Sequence, residues 1–275
     1  TLPTGRINAL AIEVPHKKNY ILAFEVGLIQ LIIYLSDFAA AHLQPATTHA
    51  KGSTQFTIAE EMNKAKIQDL VQFLFSYYQT GIPSSSGYEF LQNNHQRMVS
   101  QGLRNITKLF IVGHEYAHIG LKHLENGERQ FMSLLNHDDC LISTTETFQQ
   151  EHEADQVGFL ISLVAYLKKG LPYWFSGATI IYFLKFSEYI YQGISLILEK
   201  EIKDMSHPPI IKRIDFLESV LAELIPQEEY QNYYGLRHFY YSLIDEFEKA
   251  FFKEIDVQRK QIKVAPIWEK FMVKS

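Results

Sequence analysis

The residues of this chain best suited to chemistry are His114, Glu115 and His118, which form the pattern His-Glu-x-x-His. They lie in a largely apolar run of helical character from Leu109 to Leu121. Residues four apart on a helix are separated by about 40° around the axis, so both imidazoles can face one metal ion. Glu115 lies about 100° away and can reach a water molecule at that ion. Two neutral imidazoles suit zinc, and a neighbouring carboxylate suits a general base.

A site of this kind needs a third protein ligand, and an acidic pair downstream can supply it. Glu151 and Asp155 are four residues apart, near the start of a helix predicted from Thr145 to Lys169. On one helical face, Glu151 can complete a set of two histidines and one glutamate, while Asp155 can accept the ring N–H of a ligand histidine. His152 is a rival ligand about 100° from that face, and Glu153 points elsewhere. The alternative explanation is a solvated acidic helix start.

HExxH followed by ExxxD on a second helix resembles the gluzincin metallopeptidases. The segment 206–214, Ser-His-Pro-Pro-Ile-Ile-Lys-Arg-Ile, is similar to the Ser/Thr-His-Pro…Arg-Ile segment of the HtpX-like and CAAX-prenyl-protease-type families. His123, five residues after His118, also matches a histidine often found after HExxH there. The resemblance implies a zinc-dependent peptidase with a zincin-like α+β core.

Two histidines outside the ligand set have alternative explanations. His123 lies nine residues beyond His114, nearly opposite on a continuous helix, which predicts a packing or supporting residue rather than a ligand. His207 is the first candidate for a catalytic donor that holds the oxyanion, and a tyrosine from 173–191 is the second. The residues around His207 are also those of a capped helix start, so capping alone explains them as well.

These residues predict a zinc metalloendopeptidase with a protein or peptide substrate. Zn2+ is held by His114, His118 and Glu151, and Glu115 acts as general base toward the attacking water. One alternative is a non-catalytic zinc-binding helical interaction protein, in which His152 or His137 closes the site as a fourth ligand. Another is a regulated peptidase of the phage-exclusion type, kept inactive by its own 128–143 segment.

Composition excludes some classes of partner. The 275-residue chain has a net charge of −5 and a pI near 6.1, which argues against a nucleic-acid partner. Its single cysteine, Cys140, excludes an intrachain disulfide and fits a reducing, cytoplasmic compartment. The most apolar stretches, 21–41 and 179–198, contain charged residues, so no integral membrane segment is expected.

The predicted fold is mainly α, with a small N-terminal β-hairpin and a single domain over residues 1–275. The zinc-site core is expected at about 88–225 and a C-terminal helical extension at about 226–275. Strands are predicted at 6–14 and 20–26, separated by turn-forming residues.

Three further predictions concern the connections around the site. A helix at 28–41 is followed by a loop at 42–55, and a capping-box pattern at Thr57-x-x-Glu60 predicts a helix from Ile58 to Thr80. Gly102 breaks or bends the helix that bears HExxH. Residues 127–143 form a short strand or a loop over the site, and Thr144 or Thr145 caps the following helix.

Overall fold

The structure is a computed structural model that describes residues 9–14, 19–48, 54–58, 64–82, 90–91, 93–126, 128–133, 140–145, 148–199 and 208–269. It is mainly α-helical with an N-terminal antiparallel hairpin, as predicted. The helices are α1 (Val26–His42), α2 (Lys64–Thr80), α3 (Asn94–Gly120), α4 (His123–Asn126), α5 (Phe148–Leu167), α6 (Tyr173–Leu198), α7 (Ile210–Leu224), α8 (Tyr230–Gln258) and α9 (Pro266–Glu269).

The predicted hairpin is one edge of a four-stranded antiparallel sheet. The strands are β1 (Ala9–Val14), β2 (Asn19–Phe24), β3 (Leu43–Thr48), β4 (Thr54–Ile58), β5 (Glu128–Ser133) and β6 (Cys140–Thr145). The sheet order is β2-β1-β6-β5, with Ala9 opposite Phe24 and Glu13 opposite Ile142. The strand interpretation of 127–143 is therefore correct, and this sheet lies beside α3.

Three predictions about the connections were wrong. The loop expected at 42–55 contains β3 and the start of β4, which pair with each other. Thr57 does not cap a helix, because it lies in β4 with its backbone opposite Gln44. Thr144 and Thr145 likewise end β6 rather than cap α5, which begins at Phe148. In each case a threonine, which is a good strand former, is used in a ladder instead of a cap.

The helix that bears HExxH is longer than expected and uninterrupted. α3 begins after Asn93, whose side chain accepts a hydrogen bond from the backbone N–H of Gln96 at 2.9 Å. It continues through Gly102, where an added Cβ would meet nothing within 4 Å. Glycine in a helix interior costs roughly 1 kcal/mol. The buried face around Leu103, Ile106 and Phe110 offsets that cost by packing on neighbouring helices.

An aromatic core between α6 and α8 supports the helices of the site. Tyr182 stacks on Tyr240 with ring centroids 4.5 Å apart, and Phe186 packs on Phe247 at 4.6 Å. α6 also packs against α3, α5 and α7. Within the part of the chain that the structure describes, no helix is both long and apolar enough to cross a membrane. The assignment of residues 1–275 to one domain stays a prediction.

Candidate metal centre

Three side chains that the sequence predicts as metal ligands converge on one buried point. The Nε2 atoms of His114 and His118 are 3.1 Å apart. Oε2 of Glu151 lies 3.5 Å from the first Nε2, and its Oε1 lies 3.5 Å from the second. All three residues are at most 4 % exposed. Within the described ranges, no other histidine, cysteine, aspartate or glutamate joins this group.

Close contact between α3 and α5 brings the ligands together across two helices. A Cβ added at Gly158 would lie 2.6 Å from the backbone nitrogen of His114 and 2.7 Å from the carbonyl oxygen of Phe110. A Cβ at Gly113 would lie 2.9 Å from the Cα of Gly158. Each helix therefore presents a bare backbone to the other at this crossing. The contact places Glu151 and Asp155, about two turns and one turn before Gly158, opposite the histidines.

Asp155 orients the first histidine and is itself held by α7. Nδ1–H of His114 donates to Oδ1 of Asp155 at 3.0 Å. Arg213 donates twice to the same carboxylate, from Nε to Oδ2 at 2.8 Å and from Nη2 to Oδ1 at 2.6 Å. Because the Nδ1–H of His114 donates to Asp155, Nε2 of His114 is the ring nitrogen that can bind a metal.

The charges of the centre shift two pKa values in opposite directions. Burial raises the pKa of Asp155, but the charge and hydrogen bonds of Arg213, with those of His114, hold it well below its usual range. Burial lowers the pKa of His114, but hydrogen bonds to Asp155 and Glu151 and the charge of Glu115 raise it to about 10. The metal-free centre thus holds a proton on His114 at neutral pH, in the position where an ion would sit.

His118, the second histidine of the group, is the first of a series of side chains in contact. Nδ1 of His118 lies 3.1 Å from Nδ1 of His123, which is only 4 % exposed. Nε2 of His123 lies 3.1 Å from Oε2 of Glu153. Gln149 donates from its Nε2 to the other carboxylate oxygen, Oε1 of Glu153, at 3.0 Å. His123 therefore contacts the ring of His118 from the start of α4 rather than from α3.

The donor set fits zinc. In tetrahedral sites with Zn–N and Zn–O bonds of about 2.0–2.2 Å, ligand atoms lie about 3.3–3.6 Å apart. The two histidine nitrogens are 3.1 Å apart, and each lies 3.5 Å from a different oxygen of Glu151, which is close to that spacing. Among the described residues the group has two imidazole nitrogens and one carboxylate, whereas structural zinc sites have four protein ligands.

The other predicted site residues are placed as follows. Glu115 is 7 % exposed on α3, and its charge acts on His114. His152 does not join the ligand group, and its ring packs edge-on against Phe216 with centroids 5.0 Å apart. His207 and His137 lie outside the described residues, so the oxyanion role of His207 stays a prediction.

Sequence reasoning missed the supporting roles of three kinds of residue. Arg213 lies in the segment that resembles the peptidase families, and it is the arginine that holds Asp155. Glu153 was not given a role, although it is the only carboxylate between Glu151 and Asp155. The Gly113–Gly158 contact left a weaker signal, which is a glycine inside each of the two helices that bear ligands.

Comparison with known proteins assigns no family to the chain. No family model matches it, no curated protein matches it, and no solved structure matches it. The resemblance to gluzincins therefore rests on the residues of the motifs and on the geometry of the His114, His118 and Glu151 group.

Proposed function

We propose that this chain is a zinc-dependent peptidase that hydrolyses peptide bonds. The observation that carries the proposal is the convergence of two imidazoles and one carboxylate on a buried point, with a second carboxylate, Glu115, directly following the first ligand. A set of three protein ligands leaves a coordination position for a reacting molecule. The rival fourth ligand His152 is turned toward Phe216, which argues against a closed structural site.

Each residue of the centre has a defined task in this proposal. His114, His118 and Glu151 hold the metal. When bound, zinc supplies Lewis acidity, which makes water a nucleophile near neutral pH and polarises a carbonyl. Glu115 removes a proton from the attacking water at a carboxylate oxygen and passes it to the leaving amine. Asp155 keeps the proton of His114 on Nδ1, so that Nε2 stays a ligand atom.

The substrate proposal is an extended peptide. β2 is an edge of the four-stranded sheet, and its residues Asn19, Tyr20 and Ile21 are exposed. An edge strand offers unpaired backbone groups to a peptide, which then adds to the sheet as a further strand. β2 and β1 both contact α3, the helix that bears Glu115.

The test compares the zinc-loaded wild type with Glu115→Gln on a mixed library of fluorogenic peptides. Loss of the base should lower the cleavage rate by about 10²–10⁴-fold and leave zinc content unchanged. Glu223→Gln, a change of the same kind at an exposed position on α7, should cleave as the wild type does. Cleavage by Glu115→Gln at the wild-type rate would contradict the assigned mechanism. A zinc-loaded wild type that cleaves no peptide would favour the non-catalytic alternative.

Metal content is measured on separate variants. His114→Ala should lose zinc, because it removes one of three ligand atoms. His95→Ala changes an exposed histidine at the other end of the same helix and should keep a full equivalent. Equal zinc content in both variants would show that the metal lies elsewhere.

A further inference from the structure

We propose that His123 and Glu153 form a relay that positions the metal ligand His118, in parallel with the direct Asp155–His114 contact. The inference rests on the proposed metal centre, which it deepens by assigning two residues that do not touch the metal. In this relay the hydrogen of His118 is on Nδ1, and the lone pair of its Nε2 is directed at the ion site.

The position of each ring hydrogen in the relay follows from the carboxylate of Glu153 at its outer end. An ionised carboxylate only accepts hydrogen bonds, so Oε2 of Glu153 takes one from Nε2–H of His123 at 3.1 Å. With its ring hydrogen on Nε2, His123 has a lone pair on Nδ1. That atom accepts from Nδ1–H of His118 at 3.1 Å. The remaining nitrogen of His118, Nε2, has a lone pair that faces His114 and Glu151.

The end of α3 explains how His123 reaches this position. On a continuous helix, His123 would lie away from His118, but α3 ends at Gly120. Lys122 has φ of 61°, in the left-handed region that costs a non-glycine residue about 1–2 kcal/mol. This turn reverses the chain and brings the ring of His123 back against His118, with centroids 5.2 Å apart. Packing of the buried ring offsets the local strain.

Charge explains why an imidazole, and not a second aspartate, supports His118. Three carboxylates, those of Glu115, Glu151 and Asp155, are already buried at the centre. A fourth in direct contact would be expensive to desolvate in the same small volume. A neutral imidazole fixes the direction of the proton, while the carboxylate of Glu153, 44 % exposed, stays near solvent. The relay therefore orients His118 without adding charge beside the metal.

The test replaces His123 by asparagine and by leucine. The side-chain oxygen of asparagine can take the place of Nδ1 and accept from His118, whereas leucine fills similar volume without an acceptor. Loss of such a supporting partner weakens metal binding by about 10–100-fold. His123→Leu should show that loss in chelator competition with zinc, and His123→Asn should bind within about threefold of wild type. In the zinc-loaded protein, ring ¹⁵N shifts of His118 should show Nδ1 protonated and Nε2 metal-bound.

Two outcomes would overturn the relay. One is a leucine variant that binds zinc as tightly as wild type. The other is an equal loss in the leucine and asparagine variants, which would indicate a packing role only. If His123→Leu fails to fold, Glu153→Ala replaces it, because that change lies at the exposed end of the relay. Glu153→Ala should weaken zinc binding by about three- to tenfold relative to Glu223→Ala, and an equal affinity of the two variants contradicts the proposal.

Zinc affinity and ring protonation do not depend on peptide cleavage. A chain whose zinc affinity depends on His123 but that cleaves nothing would refute the peptidase and retain the relay. Conversely, wild-type affinity in His123→Leu would refute the relay, and the comparison with Glu115→Gln would still decide the activity.

Discussion

The contact between Arg213 and Asp155 links the candidate metal centre to α7, and its loss should destabilise the folded chain. Arg213→Met removes both guanidinium donors and keeps the apolar stem of the side chain. Asp155 has no exposed surface, and among the described residues its carboxylate then keeps one donor, Nδ1–H of His114. The substitution therefore leaves a buried carboxylate without its main counter-charge.

The size of the effect follows from burial. The side chains of Arg213 and Asp155 are 12 % and 0 % exposed, and breaking such a buried pair by removing one partner costs about 3–5 kcal/mol. Arg237 and Glu218 form a similar two-bonded pair, from Nε at 2.6 Å and Nη2 at 3.3 Å, but are 35 % and 26 % exposed. Arg237→Met is the matched control and should cost roughly 0–1 kcal/mol, because solvent screens the pair.

The assay is urea unfolding of metal-free wild type and the two methionine variants. The expected result is a free energy of unfolding that falls several times further in Arg213→Met than in Arg237→Met. Equal losses would refute the reasoning, since the two variants differ mainly in the burial of the carboxylate that loses its guanidinium.

The pH dependence gives a second check on the same pair. The pKa of Asp155 is lower in the folded chain than its ordinary value of 3.8, so its stabilisation is fully present above that value. It is lost as the pH falls through the folded pKa. The difference in unfolding free energy between wild type and Arg213→Met should therefore be largest near neutrality and shrink below about pH 4. A difference that does not change with pH would contradict the assignment to this carboxylate.

Three further predictions concern the helix crossing and the metal. Gly158→Ala should destabilise the chain by about 2–3 kcal/mol and weaken zinc binding, because a Cβ would meet the backbone of α3 at 2.6 Å; Gly102→Ala, in open space on α3, should instead stabilise it by up to about 1 kcal/mol in the same urea assay. Zinc must displace the proton of His114, whose pKa is about 10, so the affinity of the chain for zinc should rise by about tenfold per pH unit below pH 10. Calorimetry in two buffers should show one proton released per zinc ion bound. A zinc affinity that does not change with pH would contradict this prediction. Zinc at a hundred times its Kd should stabilise the folded chain by about 2.7 kcal/mol, an increase in the unfolding midpoint that His114→Ala should abolish.

The ligand set could be predicted from the sequence because it depends on local helix geometry. His114 and His118 are one helical turn apart, as are Glu151 and Asp155, and the 3.6-residue period fixes which side chains share a face. Only one non-local fact was needed, which is that the two helices pack against each other. The Gly113–Gly158 crossing supplies it, and it depends on distances between backbones that no local pattern specifies.

The relay could not be predicted because it depends on where α3 ends. A helix that continued through His123 would have placed its ring away from His118, whereas the helix stops at Gly120 and Lys122 turns the chain. Lysine gives no sequence signal for a left-handed conformation, which glycine or asparagine would have given. Glu153 could be interpreted only once the position of His123 was known.

The errors in the β region have a similar origin. Thr57-x-x-Glu60 has the residues of a capping box, but the backbone of Thr57 pairs with Gln44 across a hairpin. Strand pairing is a long-range interaction, and threonine suits both a cap and a ladder. The local pattern around Thr57 therefore predicted the start of a helix, whereas pairing with a neighbouring strand places Thr57 in a β-strand.

The charges of the centre favour a divalent ion over a proton. The carboxylates of Glu115, Glu151 and Asp155 are buried, and the guanidinium of Arg213 binds the carboxylate of Asp155. With a proton on His114, whose pKa is about 10, the formal charge of these five side chains is −1. A divalent ion that replaces this proton brings the formal charge of the group to zero and binds all three ligand atoms at once. Buried charge is costly unless it is paired. The carboxylates that raise the pKa of His114 should therefore also favour binding of a divalent cation in place of its proton.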